Sequence, residues 1–587
     1  MTGQIPAASG ALRNDGWARS PAQPNLLWSI APLSSARFWV ALIGTGIGAG
    51  LSGVVLMVLL RAVQHVAWGY RAGEFLDAVN GVSSAHRVVV VLLAGALSAA
   101  GVLLVRRFLP RGRTLEEAVW FHSGRMPLLT TFANAVLSIV IVALGASLGR
   151  EGAPKEAAAA IGSALSRRLG LAPSQSRILT ACGAGAGLAA VYNVPLGGAL
   201  FAAEVLLGGL ALPLVIPALV AAFIATAVSW IALPNRATYT MPAYTSSTSL
   251  IVWALLLGPI AGILCVGYVR AIAWAQARGR ALRGWPTLAI SIVTYAVLGL
   301  TAIAFPQLLG NGKDVVQLAL TGSIAVSIVG ALLLLKFLAT AACLGSGSPG
   351  GLFTPTMTLG ALLGTTLGQA WNIVWPASPI GGYALVGTGA VLAASTLGPI
   401  SSIVVLMELT YHSEGLMVPM LLAIAGATFV SRLLSSRSIY SADLERERKA
   451  SHTEPPASST AFDRMISHDY HVLAACDSYA HVVAKLMQEY PNAVYVVDEA
   501  GQLVGSIEGG TLDREEPIAQ ELATAGDLAR PTPSVEMQMS LEQVLDAFPA
   551  DTERLPVVDR ATGYIVGVVE RTSALRYSRD RSGNHQQ

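Results

Sequence analysis

The sequence predicts an all-α polytopic membrane domain followed by a soluble α/β tail, and two observations carry that prediction. The first is charge. Asp, Glu, Lys and Arg make up 12% of the 587 residues, about half the share of a soluble chain. Of these 73 residues, 37 lie in 441–587 and 36 in 1–440. The second is the length of the uncharged runs. No charged residue occurs from Phe337 to Met407, and Arg236 is the single one from Val205 to Val269. Each run far exceeds the roughly 20 apolar residues of one bilayer crossing. A soluble domain of this size would cover its surface with charge.

The elements follow in order. Residues 1–36 lack the basic start and apolar core of a signal peptide and read as a flexible leader. Long apolar segments run over 37–66, 86–105, 130–148, 213–232, 248–272, 286–305, 323–343 and 382–406. Between them lie shorter helical pieces broken by Gly and Pro: Gly152–Leu165, Ile178–Ala189, Pro195–Leu207 and Pro355–Leu367. Broken helices at membrane depth persist only where protein buries them or where they line a polar cavity. They point to a pathway for a polar solute, or to a receptor with re-entrant loops. Arg106, Arg107, Arg111 and Arg113, then Arg167, Arg168 and Arg177, then Arg270, Arg278, Arg280 and Arg283, mark the cytoplasmic side. Both termini then fall in the cytoplasm. Gly-rich breaks at Gly149–Pro154 and Gly345–Pro355 each precede a helix, the pattern of two inverted halves.

The chemistry concentrates at 144–162, LGASLGREGAPKEAAAAIG, where Arg150, Glu151, Lys155 and Glu156 interrupt an apolar region. Each charge costs about 2.5–3.5 kcal/mol at the bilayer centre. Gly149 and Gly152 let the backbone come close and leave N–H groups unpaired at a helix start, an anion site by geometry and dipole. Glu151 then acts as a tethered anion that occupies the site when ionised and leaves it when protonated. An Arg150–Glu151 salt bridge explains the motif equally well. The second break, GSGSPGGLFTP, is uncharged and places Leu352 and Phe353 at the same kind of site, or is a tight membrane turn. The net charge of +3 gives no case for nucleic acid. The four scattered cysteines give none for a disulfide framework or zinc. Residues 37–440 hold no nucleophile/base pair or metal cluster, so the sequence calls for neither an enzyme nor a cofactor.

From Tyr440 the chain changes character. AVYVV and QLVGSI flank the turn DEAG, and LPVVD and YIVGVVE flank RATG about 60 residues later. Each set follows a helix-like stretch, Ala480–Glu489 and Leu541–Phe548, so the tail reads as a paired module.

GREG at 149–152, NVPLGGALFAAE at 193–204, GGLFTP at 350–355, VLAASTLGPISSIVVLMELT at 391–410 and SIYSADL at 438–444 resemble the CLC chloride channels and chloride/proton antiporters. The tail is similar to their paired CBS domains. The resemblance implies a transmembrane domain over 37–440, a linker over 441–462 and CBS-like repeats over 463–515 and 524–580. It implies a homodimer with a pore in each subunit, carrying chloride across a bacterial-type inner membrane. Glu151 takes the gating position. Leu352, Phe353 and Tyr440 take anion-binding positions, Tyr440 through its hydroxyl on the cytoplasmic side, and join the anion-binding candidates Gly149, Arg150 and Gly152 of the helix-start motif.

Two departures shape the expected function. The family's GSGIP serine has no secure match in LPRGRTLEEA at 109–118; Thr114 is merely near it. That puts the usual anion selectivity in doubt, and Arg111 or Lys155 is a candidate source of positive potential. The family's internal proton-loading glutamate is replaced by Val205, with Glu204 before it as the one neighbouring relay or water-ordering group. A passive, glutamate-gated chloride channel is therefore the first expectation, a chloride/proton antiporter the alternative, and a tail-regulated receptor without transport a third reading. In the tail, Thr511 and Ser573 stand where nucleotide-binding CBS domains carry a ribose-binding Asp, with Glu508 and Glu570 nearby. Dimer packing is expected there rather than ATP sensing.

Overall fold

A computed structural model of the chain describes residues 35–434 except 122 and 377, then 437–442, and most of 466–478, 494–507, 523–549 and 552–574. It separates into two units, Met1–Lys449 and Ala450–Gln587.

The first unit is helical. Its elements are α1 (Ala36–Trp68), α2 (Phe75–Gly81), α3 (Ser84–Phe108), α4 (Leu115–Phe121), α5 (Leu128–Ala143), α6 (Gly152–Arg168), α7 (Pro173–Tyr192), α8 (Pro195–Leu200) and α9 (Leu212–Ser229). They continue as α10 (Thr248–Ala281), α11 (Trp285–Ala304), α12 (Lys313–Leu320), α13 (Val326–Gly345), α14 (Phe353–Val374), α15 (Ile380–Thr396), α16 (Pro399–Thr410) and α17 (Met417–Leu433). A π-turn, Phe201–Leu206, extends α8. Among the described residues, seven helices are long and apolar enough to cross a membrane.

The expected segments hold with three corrections. The apolar run 382–406 is two helices, because Leu397 turns left-handed (φ 57°) and Pro399, which has no N–H, starts α16 afresh. The run 130–148 ends as a helix at Ala143, since Gly145 (φ 105°) turns the chain into the Gly149 break. The piece expected at Pro355–Leu367 is a 22-residue helix, because Pro355 lies in its first turn, where a missing N–H costs nothing.

The two inverted halves meet in reciprocal contacts. Gly149 N–H donates to Gly351 O and Gly351 N–H to Gly149 O, both at 2.8 Å. The second meeting point is α8 with α16. Glu204 and Glu408 each lie nine residues after the proline that starts their helix (195 to 204, 399 to 408). Glu204 accepts from the N–H groups of Ile400 (3.2 Å) and Ser401 (2.7 Å) at the start of α16. Glu408 accepts from Leu196 (3.0 Å) and Gly197 (2.7 Å) at the start of α8.

One face gathers the basic helix ends. Arg106, ending α3, donates to Leu282 O just after α10 (2.7 Å). At the other end of α3, His86 bonds Ala67 O near the end of α1 (2.7 Å). The start of α1 meets the end of α6, where Gly44 leaves room for Leu165. Arg106, Arg107, Arg167, Arg168, Arg278 and Arg280 therefore share a face, as the charge pattern predicts.

The second unit repeats one pattern. β2 (Val472–Ala474) pairs parallel with β3 (Val494–Val497), which pairs antiparallel with β4 (Leu503–Ile507). β5 (Val535–Glu536), β6 (Arg554–Val558) and β7 (Ile565–Glu570) repeat this, and β1 (Ile466–Ser467) pairs with β7. Both hairpins shift register at matching places, Val496/Val497 and Val557/Val558. The expected second helix appears as Leu541–Asp546. The first, 480–489, lies almost wholly outside the described residues.

Candidate functional site

The Gly149–Gly351 link sets the starts of α6 and α14 against each other. Glu151 is the N-cap of α6 and is 2% exposed. Its side chain crosses to the start of α14. Oε1 accepts from Phe353 N–H at 2.6 Å and, more weakly, from Thr354 N–H at 3.4 Å. Oε2 accepts from Thr354 Oγ1 (3.1 Å) and Tyr192 OH (3.3 Å), two hydroxyls 2.6 Å apart. A Cβ added at Gly149 or Gly351 would overlap the carboxylate. The glycines are there for the carboxylate to fit between the two loops.

This places the predicted residues as follows. Glu151, Phe353 and Leu352, the N-cap of α14, come together at one anion-accepting helix start. Gly149 and Gly152 give the close approach, but the Gly149 N–H is taken by Gly351 O, so it is no free donor. Arg150 does not bridge to Glu151. Its guanidinium stacks over the Tyr192 ring, 5.3 Å from the centroid. It lines a cavity of about 480 Å³ together with Arg61, Arg236, Lys313, Tyr192 and Glu74. Four cations line this cavity, which reaches Tyr192, a hydrogen-bond partner of Glu151.

α6 runs from Glu151 towards the basic face, and Tyr440 lies on that side. Its ring carries the Lys155 ammonium at 4.1 Å from the centroid and meets Phe201 edge-on at 5.7 Å. Lys155 Nζ is also 3.4 Å from Glu116 Oε1. Glu116 and Lys155 are 7% and 6% exposed. Thr114, the residue nearest the missing serine, caps α4 by accepting from Glu117 N–H. Arg111 is exposed in the loop before α4.

Glu204 and Val205 sit on the π-turn. Glu204 caps α16 with both oxygens, which fixes it as a structural link between the halves. The expectation that Glu204 alone offers a protonatable group beside Val205 needs correction. Trp120 donates to Leu206 O (2.8 Å), which brings α4, and with it Glu116, alongside the π-turn. Sequence reasoning missed Glu116, Tyr192 and Thr354. The available signal for Glu116 was Lys155 itself, a buried cation that requires a counter-ion.

In the tail, Glu508 and Thr511 lie outside the described residues. Ser573 is half-buried, and Glu570 is held by Arg554 in an ion pair across β6 and β7.

The family model "Voltage gated chloride channel" matches residues 90–432, and "CBS domain" matches 525–580. A "Voltage-gated ClC-type chloride channel ClcB" of Salmonella typhi is 31% identical over 418 residues, 68% of this chain and 97% of that protein. An "H(+)/Cl(-) exchange transporter ClcA" of Vibrio campbellii is 30% identical over 433 residues, 71% of this chain and 90% of that protein. The fold is similar to that of a slow cyanobacterial Cl−/H+ antiporter (TM-score 0.63, 22% identity), covering 71% of this chain and 99% of the other.

Proposed function

Because the chain belongs to the voltage gated chloride channel family, we propose that it exchanges chloride for protons across a bacterial inner membrane, with Glu151 as gate and proton carrier. The seat of the Glu151 carboxylate carries this reading. It rests on the Phe353 and Thr354 N–H groups, donors that a bound anion would otherwise use. An ionised Glu151 and an anion compete for them. Protonation removes the charge that holds Glu151 there and frees the donors. One group thus takes up a proton as it yields the site, the alternation that exchange requires. The family likeness to proteins named as H(+)/Cl(-) exchange transporters supports the same reading. Passive conduction ranked first in the sequence because Val205 cannot relay a proton, but that ranking did not count Glu116.

The second reading is a gated passive chloride channel. Val205 favours it, as does the capping role of Glu204, and relatives named ClcB carry the channel name. We further propose a homodimer with one path per subunit, the basic face cytoplasmic and both termini on that side.

Purified protein in liposomes tests the choice. An imposed chloride gradient drives protons uphill at a fixed ratio in wild type and not in Glu151→Ala. Chloride flux with no proton movement in wild type favours the channel.

A further inference from the structure

We propose that Glu116 is the group through which protons from the basic face reach Glu151, with Lys155 as its positioning counter-ion; this rests on the exchange reading above. Glu151 is buried, and the Arg150-lined cavity serves one side of it. Exchange needs a second proton route, from the face where α6 ends. Lys155 lies on that route. It is four residues along α6 from Glu151, about 6 Å of helix rise and the same helix face.

The geometry around Lys155 supplies the protonatable partner. Its ammonium sits between Glu116 Oε1 (3.4 Å) and the Tyr440 ring (4.1 Å). Ionisable side chains inside a membrane domain are costly and face a pathway or one another. A charge-assisted N–H···O bond is tight at about 2.7–2.9 Å. At 3.4 Å, Glu116 is held by charge and can take a proton without losing a short bond. Glu156 on α6 and Tyr440 share the field of this carboxylate, and Glu117 follows it on α4. Of these groups, Glu116 is the acid that pairs with the ammonium.

The transfer balances simply. A hydronium ion gives its proton to the Glu116 carboxylate, forming an O–H bond and releasing water. Lys155, still an ammonium, is left without its counter-charge. That excess positive charge favours an anion nearby, either the ionised Glu151 or chloride. The Glu116 O–H bond then breaks as its proton goes to a water molecule, and water in turn delivers a proton to Glu151, where an O–H bond forms. One proton has moved, no electrons have been exchanged, and the Glu116–Lys155 pair is restored.

The test uses full-length protein in liposomes under a chloride gradient, with chloride efflux and proton uptake read together. Glu116→Gln is expected to retain chloride flux within a few-fold and lose proton uptake at least tenfold. Lys155→Met is expected to do the same, Lys155→Arg to recover uptake, and Glu156→Gln to leave it unchanged. If Glu116→Gln is inactive for chloride, the double variant Glu116→Gln/Lys155→Met removes both charges and decides the matter. Chloride flux with wild-type coupling in Glu116→Gln or the double variant overturns this proposal and leaves exchange intact. Recovery absent in Lys155→Arg, or coupling lost in Glu156→Gln, also counts against it. A wild type that moves no protons overturns the exchange reading itself.

Discussion

The α8/α16 pair and the α6/α14 pair are built by the same internal symmetry and differ in one respect. At α8/α16 each half supplies an acid and each supplies a helix start, so Glu204 caps α16 while Glu408 caps α8. At α6/α14 the Gly149–Gly351 link relates Glu151 to Phe353, each two residues further on. One half supplies the carboxylate and the other supplies the N–H groups that receive it. The reciprocal pair locks. The one-sided pair leaves a helix start whose donors hold Glu151 and, in the proposed exchange, a small anion in its place. The proposed gate sits where the repeat departs from its own symmetry.

That contrast can be broken or sharpened by substitution. The largest effect is expected at Glu151. Glu151→Gln removes the titrating charge from the exchange between carboxylate and anion, so chloride flux should lose most of its acid activation and all proton coupling. A mutant that keeps wild-type pH dependence contradicts the gate assignment.

Gly351→Ala comes next. Its Cβ would overlap Glu151 Oε1. Displacing the carboxylate should raise chloride flux at neutral pH several-fold towards its acid value. Unchanged neutral flux in a folded protein would mean that the carboxylate does not block the path.

The capping acids should behave oppositely. Glu204→Ala and Glu408→Ala each remove hydrogen bonds to a charged group, costing about 1.5–3 kcal/mol of stability. Thermal unfolding should show similar losses for the two, with the pH profile of flux preserved in each. A pH profile altered by Glu204→Ala alone would give that residue a part in proton movement after all.

The smallest effect concerns the tail, which also repeats itself. Glu570 is paired with Arg554, and the resemblance to nucleotide-binding CBS domains puts Ser573 in the place of their ribose-binding Asp. ATP added to the full chain should leave flux unchanged and show no micromolar binding, about −8 kcal/mol on the standard scale.

How much of this was legible in the sequence depended on distance along the chain. GREG and GGLFTP are local patterns, so Glu151, Leu352 and Phe353 could be named from the helix-start argument, and the inverted halves from the two Gly-rich breaks. Arg150 was ambiguous because the sequence does not say which way a side chain turns at a helix cap; it turned to Tyr192. Glu116 was passed over because its partner Lys155 is brought to it only by tertiary packing. The capping contact of Glu204 was out of view for the same reason: its partners, Ile400 and Ser401, belong to the other half.

The central claim is that chloride and the ionised Glu151 compete for the Phe353 and Thr354 N–H groups. Linkage makes that claim measurable at equilibrium, because a ligand that displaces a carboxylate favours its protonation. Chloride titrations of purified protein by calorimetry, in buffers of different ionisation enthalpy, report protons taken up on binding. The account predicts uptake of up to one proton per bound chloride in wild type, and none in Glu151→Gln. Chloride binding to wild type with no proton uptake, at every pH at which Glu151 is ionised, would contradict it.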